Sequence, residues 1–396
     1  MPFPFVILLW ILLAADPNEV RSLLQQGLLA LQKGQLAEAR KDLEQASRLD
    51  TKNPYVWSSL AQVYLRMKEP VKASAAAKTA EVVGANNPVI DHALAMFYSE
   101  AGDLGRAAQW EEKFATSGKA DSNALARTAE LYLNAGNGKR ALQLAQQAES
   151  ANETPATEDL LGRSLLATGD AAQATQHFKN AWEHAQNDPQ IAFDFAHSLL
   201  KAQAFQQAAD VAEQALKSNP KDAQLTLTLG VARYGQRRFE EAISLFLEVI
   251  AIDPQIEQPY EFLGRVLDQA GNRLPEIVKD YETWAGKNPQ TAKAQLLLAK
   301  GLLAGDPKSK RAEDLLRRSI ALDPKEWEAP FQLGVLLASE HDYAGAAKEL
   351  TRSIELNGKE PMPHYHLARV YDRLGEPEKA KAEREIHQRL SAPAGQ

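Results

Sequence analysis

A small residue returns along this chain at intervals of 33 to 35 residues, and no other feature constrains the fold as strongly. Ten of its eleven occurrences are alanine, and a glycine or a second alanine lies 12 or 13 positions before each of them. Self-similarity at a period of about 20 to 50 residues indicates a repeat architecture, in which each unit packs on its neighbours. The eleven positions are Ala39, Ala73, Ala107, Ala141, Ala174, Ala208, Ala242, Ile277, Ala312, Ala346 and Ala380.

Each repeat contains two stretches of about a dozen residues with apolar positions at i, i+3, i+4 and i+7, the pattern of an amphipathic helix. One such helix pair cannot bury its apolar face alone, so neighbouring pairs must stack and share a core. The sequence therefore predicts an all-α solenoid of about eleven helix-turn-helix repeats over residues 20–390. Left-handed helix C-caps are expected at the turn glycines Gly34, Gly102, Gly136, Gly169, Gly271 and Gly375. The predicted units are 20–53, 54–87, 88–121, 122–154, 155–188, 189–222, 223–256, 257–291, 292–326, 327–360 and 361–390.

Two short motifs recur inside the units. The segment 57–64 reads WSSLAQVY, and an alanine followed four positions later by phenylalanine occurs at 174–178 and 242–246. Aspartate-proline pairs close two units, at 253–254 and 323–324. In these motifs and in its period the chain resembles the tetratricopeptide repeat, and the resemblance covers nearly the whole chain. It implies a right-handed superhelix whose first helices line a concave groove that binds other proteins.

Charge and composition exclude several functions. The chain has 45 basic and 52 acidic side chains and a formal net charge of -7, so we expect no nucleic-acid partner. It has no cysteine, which excludes disulfides, zinc ribbons and cysteine nucleophiles. It also lacks the motifs of metalloproteases, serine hydrolases and phosphate-binding loops. We therefore predict a protein that is not an enzyme, with no catalytic residues, metal or cofactor.

A few polar residues stand at unexpected places in the repeats. The pairs His177/His184 and His364/His366 are too far apart on their helices to hold one metal ion, and we interpret them as ordinary surface histidines. Glu111 occupies a position of the third repeat where the pattern calls for a core residue.

The two ends of the chain fall outside the repeat pattern. Residues 1–15 carry no side-chain charge and include an apolar run at 6–13, which is short for a bilayer span. We expect a signal peptide or an N-terminal membrane anchor, with an N-terminal helix packed on the first repeat as the alternative. The protein would then be exported, periplasmic or otherwise extracytoplasmic, or anchored in a membrane, and otherwise cytoplasmic. Residues 391–396 are expected to form a disordered tail.

The family geometry also predicts which residues line the groove, because positions 2, 5, 9 and 12 of each first helix would face it. The arginines among them could hold carboxylates of a partner. The alternative is that part of this stripe packs against the adjacent second helix. The candidate groove residues are Phe193, His197, Leu227, Val231, Tyr234, Glu261, Arg265, Phe331, Val335, Tyr365 and Arg369.

The sequence thus favours a scaffold or adaptor that binds peptide or helical segments of partner proteins in this groove. The alternative is a non-catalytic subunit that recognises substrates for, or regulates, an enzyme, secretion or envelope-assembly complex. The oligomeric state stays open.

Overall fold

The computed structural model describes residues 17–118 and 121–392, which are helical and include no strand. The chain divides into two compact units, Met1–Ala185 and Gln186–Gln396, named here the N-terminal and C-terminal units. The N-terminal unit contains α1 (Pro17–Gln32), α2 (Leu36–Leu49), α3 (Pro54–Arg66), α4 (Pro70–Val83), α5 (Pro88–Glu100), α6 (Leu104–Ala115), α7 (Ser122–Asn134), α8 (Gly138–Ala151), α9 (Pro155–Thr168) and α10 (Ala171–His184). The C-terminal unit contains α11 (Pro189–Lys201), α12 (Phe205–Ser218), α13 (Ala223–Gly235), α14 (Phe239–Ile252), α15 (Gln258–Arg265), α16 (Leu274–Lys287), α17 (Ala292–Gly305), α18 (Lys310–Leu322), α19 (Glu328–Ser339), α20 (Tyr343–Leu356), α21 (Pro361–Leu374) and α22 (Pro377–Ser391).

In both units every repeat except the eighth packs its odd-numbered first helix along the even-numbered second helix that follows it, and consecutive pairs stack on one another. In the eighth repeat α15 meets α16 through Tyr260, whose ring stacks on Trp284. Several first helices also touch the first helix of the next repeat, as α19 touches α21. The described residues thus form eleven helix pairs, and the predicted all-α fold of helix-turn-helix repeats is confirmed.

The structure describes only part of the two chain ends, so the predictions made for them can be compared with it only in part. The predicted signal peptide or anchor of residues 1–15 lies outside the described residues. At the other end α22 runs through Ser391, so the helix extends one residue into the predicted tail of 391–396. Residues 393–396 also lie outside the described part of the chain.

Many first helices begin with a polar cap followed by proline. Asn53 accepts hydrogen bonds from the backbone nitrogens of Tyr55 and Val56, and Pro54 is the first residue of α3. Asp188 and Pro189 repeat this arrangement at α11. Proline is well suited to the first helical position, because its missing N–H would have no partner there. These proline pairs therefore mark where a repeat begins.

The two helices of a repeat approach closely at the first small residue. In five repeats this residue is glycine, and in four of these a Cβ placed on it would lie only 2.6–2.7 Å from a leucine or phenylalanine sixteen residues later in the second helix. Real Cβ atoms do not come so close to another atom, so only glycine fits at this helix spacing. The four facing pairs are Gly27–Leu43, Gly162–Phe178, Gly230–Phe246 and Gly334–Leu350.

The turn between the two helices of a repeat requires a residue in the left-handed region. All six predicted turn glycines have positive φ, from +50° at Gly271 to +93° at Gly169. Four repeats place a residue other than glycine in the same turn, namely Lys68, Gln203, Arg237 and His341, with φ between +59° and +68°. A side chain in this region costs about 1–2 kcal/mol, because its Cβ crowds the following carbonyl oxygen.

The eighth repeat departs from the others because its first helix, α15, ends at Arg265 after eight residues. Two short 3-10 turns, Leu267–Gln269 and Gly271–Arg273, complete the connection to α16. The spacing between Gly264 and Ile277 is thirteen residues instead of twelve, but the ninth repeat has the same spacing between Ala299 and Ala312 with an uninterrupted first helix, α17.

Replacing Gly230 tests the close approach of the helices. Gly230→Leu should lower the free energy of unfolding by about 1–3 kcal/mol, because the new side chain overpacks the contact with Phe246. Gly286→Leu is the matched control, since Gly286 is also helical but has open space at its Cβ position. Thermal and urea unfolding followed by circular dichroism measures both. Equal stability of Gly230→Leu and the wild type would show that the helices are not held at this spacing.

The residues with positive φ in the turns predict a substitution that stabilises the protein. Arg237→Gly should raise the free energy of unfolding by about 1 kcal/mol, because glycine adopts φ +62° without crowding. Arg237→Ala removes the same side chain yet keeps a Cβ in the left-handed region, so it should leave stability nearly unchanged. The difference between the two variants in thermal unfolding isolates the backbone effect. A glycine variant no more stable than the alanine variant would contradict the prediction.

Candidate protein-binding surface

The first predicted groove residues lie on α11, the first helix of the C-terminal unit. Phe193 and His197 are one turn apart, and their rings are stacked with centroids 5.6 Å apart and planes inclined by 17°. Phe193 is half-buried and His197 is exposed. The two rings therefore form a small aromatic platform of their own.

The residues predicted on α13 are largely committed to the core. Leu227 is only 8% exposed and belongs to the core cluster of the C-terminal unit, and Val231 and Tyr234 pack against the same cluster. The ring of Tyr234 meets Phe239 and Phe262 edge to face, at centroid distances of 5.8 and 5.6 Å. On this helix the structure matches the alternative reading, in which the stripe packs against neighbouring helices.

The two charged candidates on α15 have contacts inside the protein. Glu261 forms an ion pair with Lys293 of α17. The guanidinium of Arg265 lies 5.1 Å above the ring of Phe262, in a cation–π contact, and Arg265 is exposed at the end of the shortened helix. Arg265 therefore remains accessible, whereas the charge of Glu261 is already balanced.

The last candidates come together around His366. Its ring meets Phe331 of α19 at 5.5 Å and Tyr365 of α21 at 5.3 Å, both edge to face. The guanidinium of Arg369 lies 5.6 Å from the centre of the Tyr365 ring. Tyr365 is 38% exposed, and Met362 on the same helix is 44% exposed. Three predicted residues thus form one surface with two residues that were not predicted.

A cavity of about 300 Å³ adjoins this surface. It lies between the ends of α19 and α21 and the start of α20. Sequence periodicity gave Arg369 and Val335 but no sign of a cavity, because the walls come from three separate chain segments. The lining residues are Val335, Ala338, Ser339, His341, Tyr343, His366, Arg369, Val370 and Arg373.

The interpretation of His364 as a surface histidine is wrong. His364 is 3% exposed, and its Nδ1 lies 2.5 Å from a carboxylate oxygen of Glu383. His177 is half-buried and pairs in the same way with Glu158, also at 2.5 Å. Each partner lies nineteen positions away on the other helix of the pair, a contact that spacing along one helix does not reveal.

Glu111, which the sequence places at a core position, is buried and paired with side chains of two other helices. Glu111 is 2% exposed, accepts a hydrogen bond from Nε of Arg127 at 3.2 Å and lies 2.7 Å from Nδ1 of His92. A buried carboxylate with two such partners is satisfied, so the third repeat packs despite its charge.

Within residues 17–118 and 121–392, no three histidine or acidic side chains are grouped so that they could hold a metal ion. The same part of the chain contains no helix that is both long and apolar enough to cross a membrane.

Comparison with known proteins identifies the repeat directly. Two tetratricopeptide-repeat family models match the chain, at residues 30–97 and 193–255. The chain is 25% identical over 179 residues to the human protein O-mannosyl-transferase TMTC3, a match that covers 42% of this chain and 20% of that protein. It is 26% identical over 257 residues to the TPR repeat-containing protein YpiA of Bacillus subtilis, covering 64% and 60%. The chain therefore spans about a fifth of the first relative and three fifths of the second.

Solved structures resemble the chain at low sequence identity. A tetratricopeptide repeat protein from Parabacteroides merdae has a TM-score of 0.48 and 18% identity, over 62% of this chain and 98% of that one. Yeast Tom70 has a TM-score of 0.44 and 14% identity, over 94% and 92%. Neither likeness bears on function. Proteins built from this repeat are in general non-catalytic and bind other proteins. The two family matches and the eleven helix pairs place the chain among the tetratricopeptide-repeat proteins.

Proposed function

We propose that this chain is a non-catalytic scaffold that binds a peptide or helical segment of a partner protein along the first helices of its C-terminal unit. The observation that carries the proposal is one face of α21. Met362, Tyr365 and Arg369 follow one another at i, i+3 and i+7, so they lie on the same side of the helix. All three are exposed.

The composition of this face matches the residues that dominate binding energy in protein interfaces. Tyrosine and arginine are enriched among such residues, and methionine adapts to irregular apolar surfaces. Leu367 and Ala368, on the same helix, are each 1% exposed and supply the packing that the repeat needs. Met362 and Tyr365 lie outside the core cluster that contains Leu367, although the ring of Tyr365 also meets His387 of α22 at a centroid distance of 5.4 Å. A partner could cover their exposed sides without entering the core.

Phe193 and His197 on α11 extend the proposed surface within the C-terminal unit. Their stacked rings stand on a first helix, as Tyr365 does, and His197 is exposed. A segment that adds contacts at both places would bind more tightly than one that uses α21 alone.

The test replaces the exposed face without touching the core. The double variant Met362→Ala/Tyr365→Ala removes two large side chains that are 44% and 38% exposed. The control Leu356→Ala/Leu374→Ala removes two that are 36% and 39% exposed elsewhere in the C-terminal unit. Partners are first trapped by crosslinking in the native cells, and the crosslinked segment of each partner is then synthesised and titrated against purified wild type and both variants.

The face variant should bind the synthetic segment about tenfold more weakly or worse, because it loses two anchor side chains, while the control should bind as the wild type does. Equal affinity for all three proteins would move the binding surface off α21. If no crosslinked segment binds purified wild-type protein, the scaffold proposal is wrong.

A further inference from the structure

The first helix of the eighth repeat, α15, is shorter than every other first helix that the structure describes. It has eight residues, whereas the others have twelve to sixteen. No side chain caps the N-terminus of α15, and a 3-10 turn follows its C-terminus. Isolated helices shorter than about 12–15 residues are marginal in water, because nucleating a helix is costly. The stability of α15 therefore depends on its packing against neighbouring helices.

That packing is directed towards the next repeat. A Cβ placed on Gly264 would lie 2.6 Å from Leu297 of α17. At the equivalent glycine of the seventh repeat, Gly230, the nearest atom belongs instead to Phe246, in the second helix of the same repeat. Glu261 also forms its ion pair with α17, and both side chains of this pair are partly exposed. Exposed ion pairs contribute little to stability, so this one does not fix α15 in place.

The second helix of the repeat, α16, reaches α15 through two aromatic side chains. The ring of Trp284 stacks on that of Tyr260 at a centroid distance of 4.6 Å. The hydroxyl of Tyr281 donates a hydrogen bond of 2.9 Å to the backbone carbonyl oxygen of Tyr260. Tyr281 is fully buried, and a Cβ placed on Gly301 of α17 would lie 3.1 Å from its ring. One side chain of α16 thus contacts both α15 and α17.

The hydroxyl that joins α16 to α15 is peculiar to the eighth repeat. Tyr281 stands four residues after Ile277, and the same position carries no tyrosine in the other ten repeats. Phe178 and Phe246 hold it in two of them, so the tyrosine adds a hydrogen bond to an aromatic contact. In those ten repeats the first helix packs along the second, whereas here a ring stack and one hydrogen bond replace that packing.

From this arrangement we infer that the eighth repeat is a joint of the C-terminal unit, at which α15 opens locally while the helix pairs on either side stay folded. Segments with few buried contacts open at a lower free energy than the rest of a structure. On one side α14 packs on α15, and on the other α16 packs on α17. α15 therefore lies between two well-packed parts of the unit, α11–α14 and α16–α22.

The joint also lies between the two places of the proposed binding surface. The stacked rings of Phe193 and His197 stand on α11, before the joint, and Met362 and Tyr365 stand on α21, after it. Opening of α15 lets the separation between these two places change, so that one partner segment can contact both. This consequence for binding rests on the proposed function, whereas the joint itself does not.

Hydrogen exchange of the purified full chain, followed by mass spectrometry, measures the opening without any partner. In the wild type the helical amides of α15 should exchange at least about tenfold faster than those of α13 and α19. Tyr281→Phe removes only the hydroxyl, so it should speed exchange in α15 by a further factor of about three to ten and leave α13 and α19 unchanged. The control is Tyr132→Phe, which removes a hydroxyl that donates to Glu112 in the N-terminal unit and should leave α15 unchanged.

Two results of this experiment would overturn the inference. One is equal protection of α15, α13 and α19 in the wild type. The other is a Tyr281→Phe effect of the same size in all three helices, because the unit would then open as a whole. Neither result bears on the scaffold proposal, which is tested with the crosslinked partner segment.

A second readout measures the movement across the joint. The chain has no cysteine, so introduced cysteines carry spin labels at chosen places. Ala251, Ala321 and Arg389 are exposed and equivalent, each nine residues after the recurring small residue of the seventh, ninth and eleventh repeats. Ala251→Cys/Ala321→Cys spans the eighth repeat, and the matched control Ala321→Cys/Arg389→Cys spans the tenth.

Pulsed electron paramagnetic resonance gives the distribution of distances for each labelled pair. The pair that spans the eighth repeat should show the broader distribution, and adding Tyr281→Phe should broaden this pair alone, because the hydrogen bond to α15 is lost. Distributions of equal width for the two pairs would show that the eighth repeat is as rigid as the tenth, and the joint would be ruled out.

Discussion

The contact between the two helices of each repeat sets the dimensions on which the rest of this protein depends. In four of the five repeats whose first helix carries glycine, the residue sixteen positions later is leucine or phenylalanine, as in Gly230 and Phe246. In these glycine repeats the volume that the first helix gives up is filled by a larger side chain of the second helix. Six repeats carry alanine at the first position instead, and in three of them the facing residue is also alanine. The alanine pairs, all fully buried, are Ala61/Ala77, Ala129/Ala145 and Ala196/Ala212.

The packing between the two helices of a repeat also determines which residues remain available for function. In α21 the side that meets α22 holds Leu367 and Ala368, and changes there would alter the helix spacing. Met362, Tyr365 and Arg369 are under no such constraint, because they lie on the exposed side of the helix. A surface that differs from one repeat to the next can therefore develop on first helices without changing the stack beneath it. Function in such a fold lies in the residues that the repeat leaves free.

The sequence predicted the fold well because its main determinant is local and repeated. Helix pairs, turn glycines and the small residues all follow from spacing, whereas the surface does not. Tyr365 and Leu227 occupy comparable positions of their first helices, yet one is 38% exposed and the other 8%. Their burial depends on side chains from other helices: Leu227 belongs to a core cluster that includes Phe246 of α14 and Tyr260 of α15. The burial of His364 against Glu383 was missed for the same reason, since the partner belongs to another helix.

The cavity beside Arg369 shows how one turn residue changes a surface. Most repeats place glycine in the left-handed turn position, and glycine has no side chain to offer. In the tenth repeat His341 takes this position at φ +68°, at a cost of about 1–2 kcal/mol in backbone crowding. Its ring thereby reaches Tyr343 and forms one wall of the cavity, opposite the arginines of α21. A glycine at this turn would stabilise the repeat and would also remove that wall, so stability of the turn and shape of the cavity are opposed at a single residue.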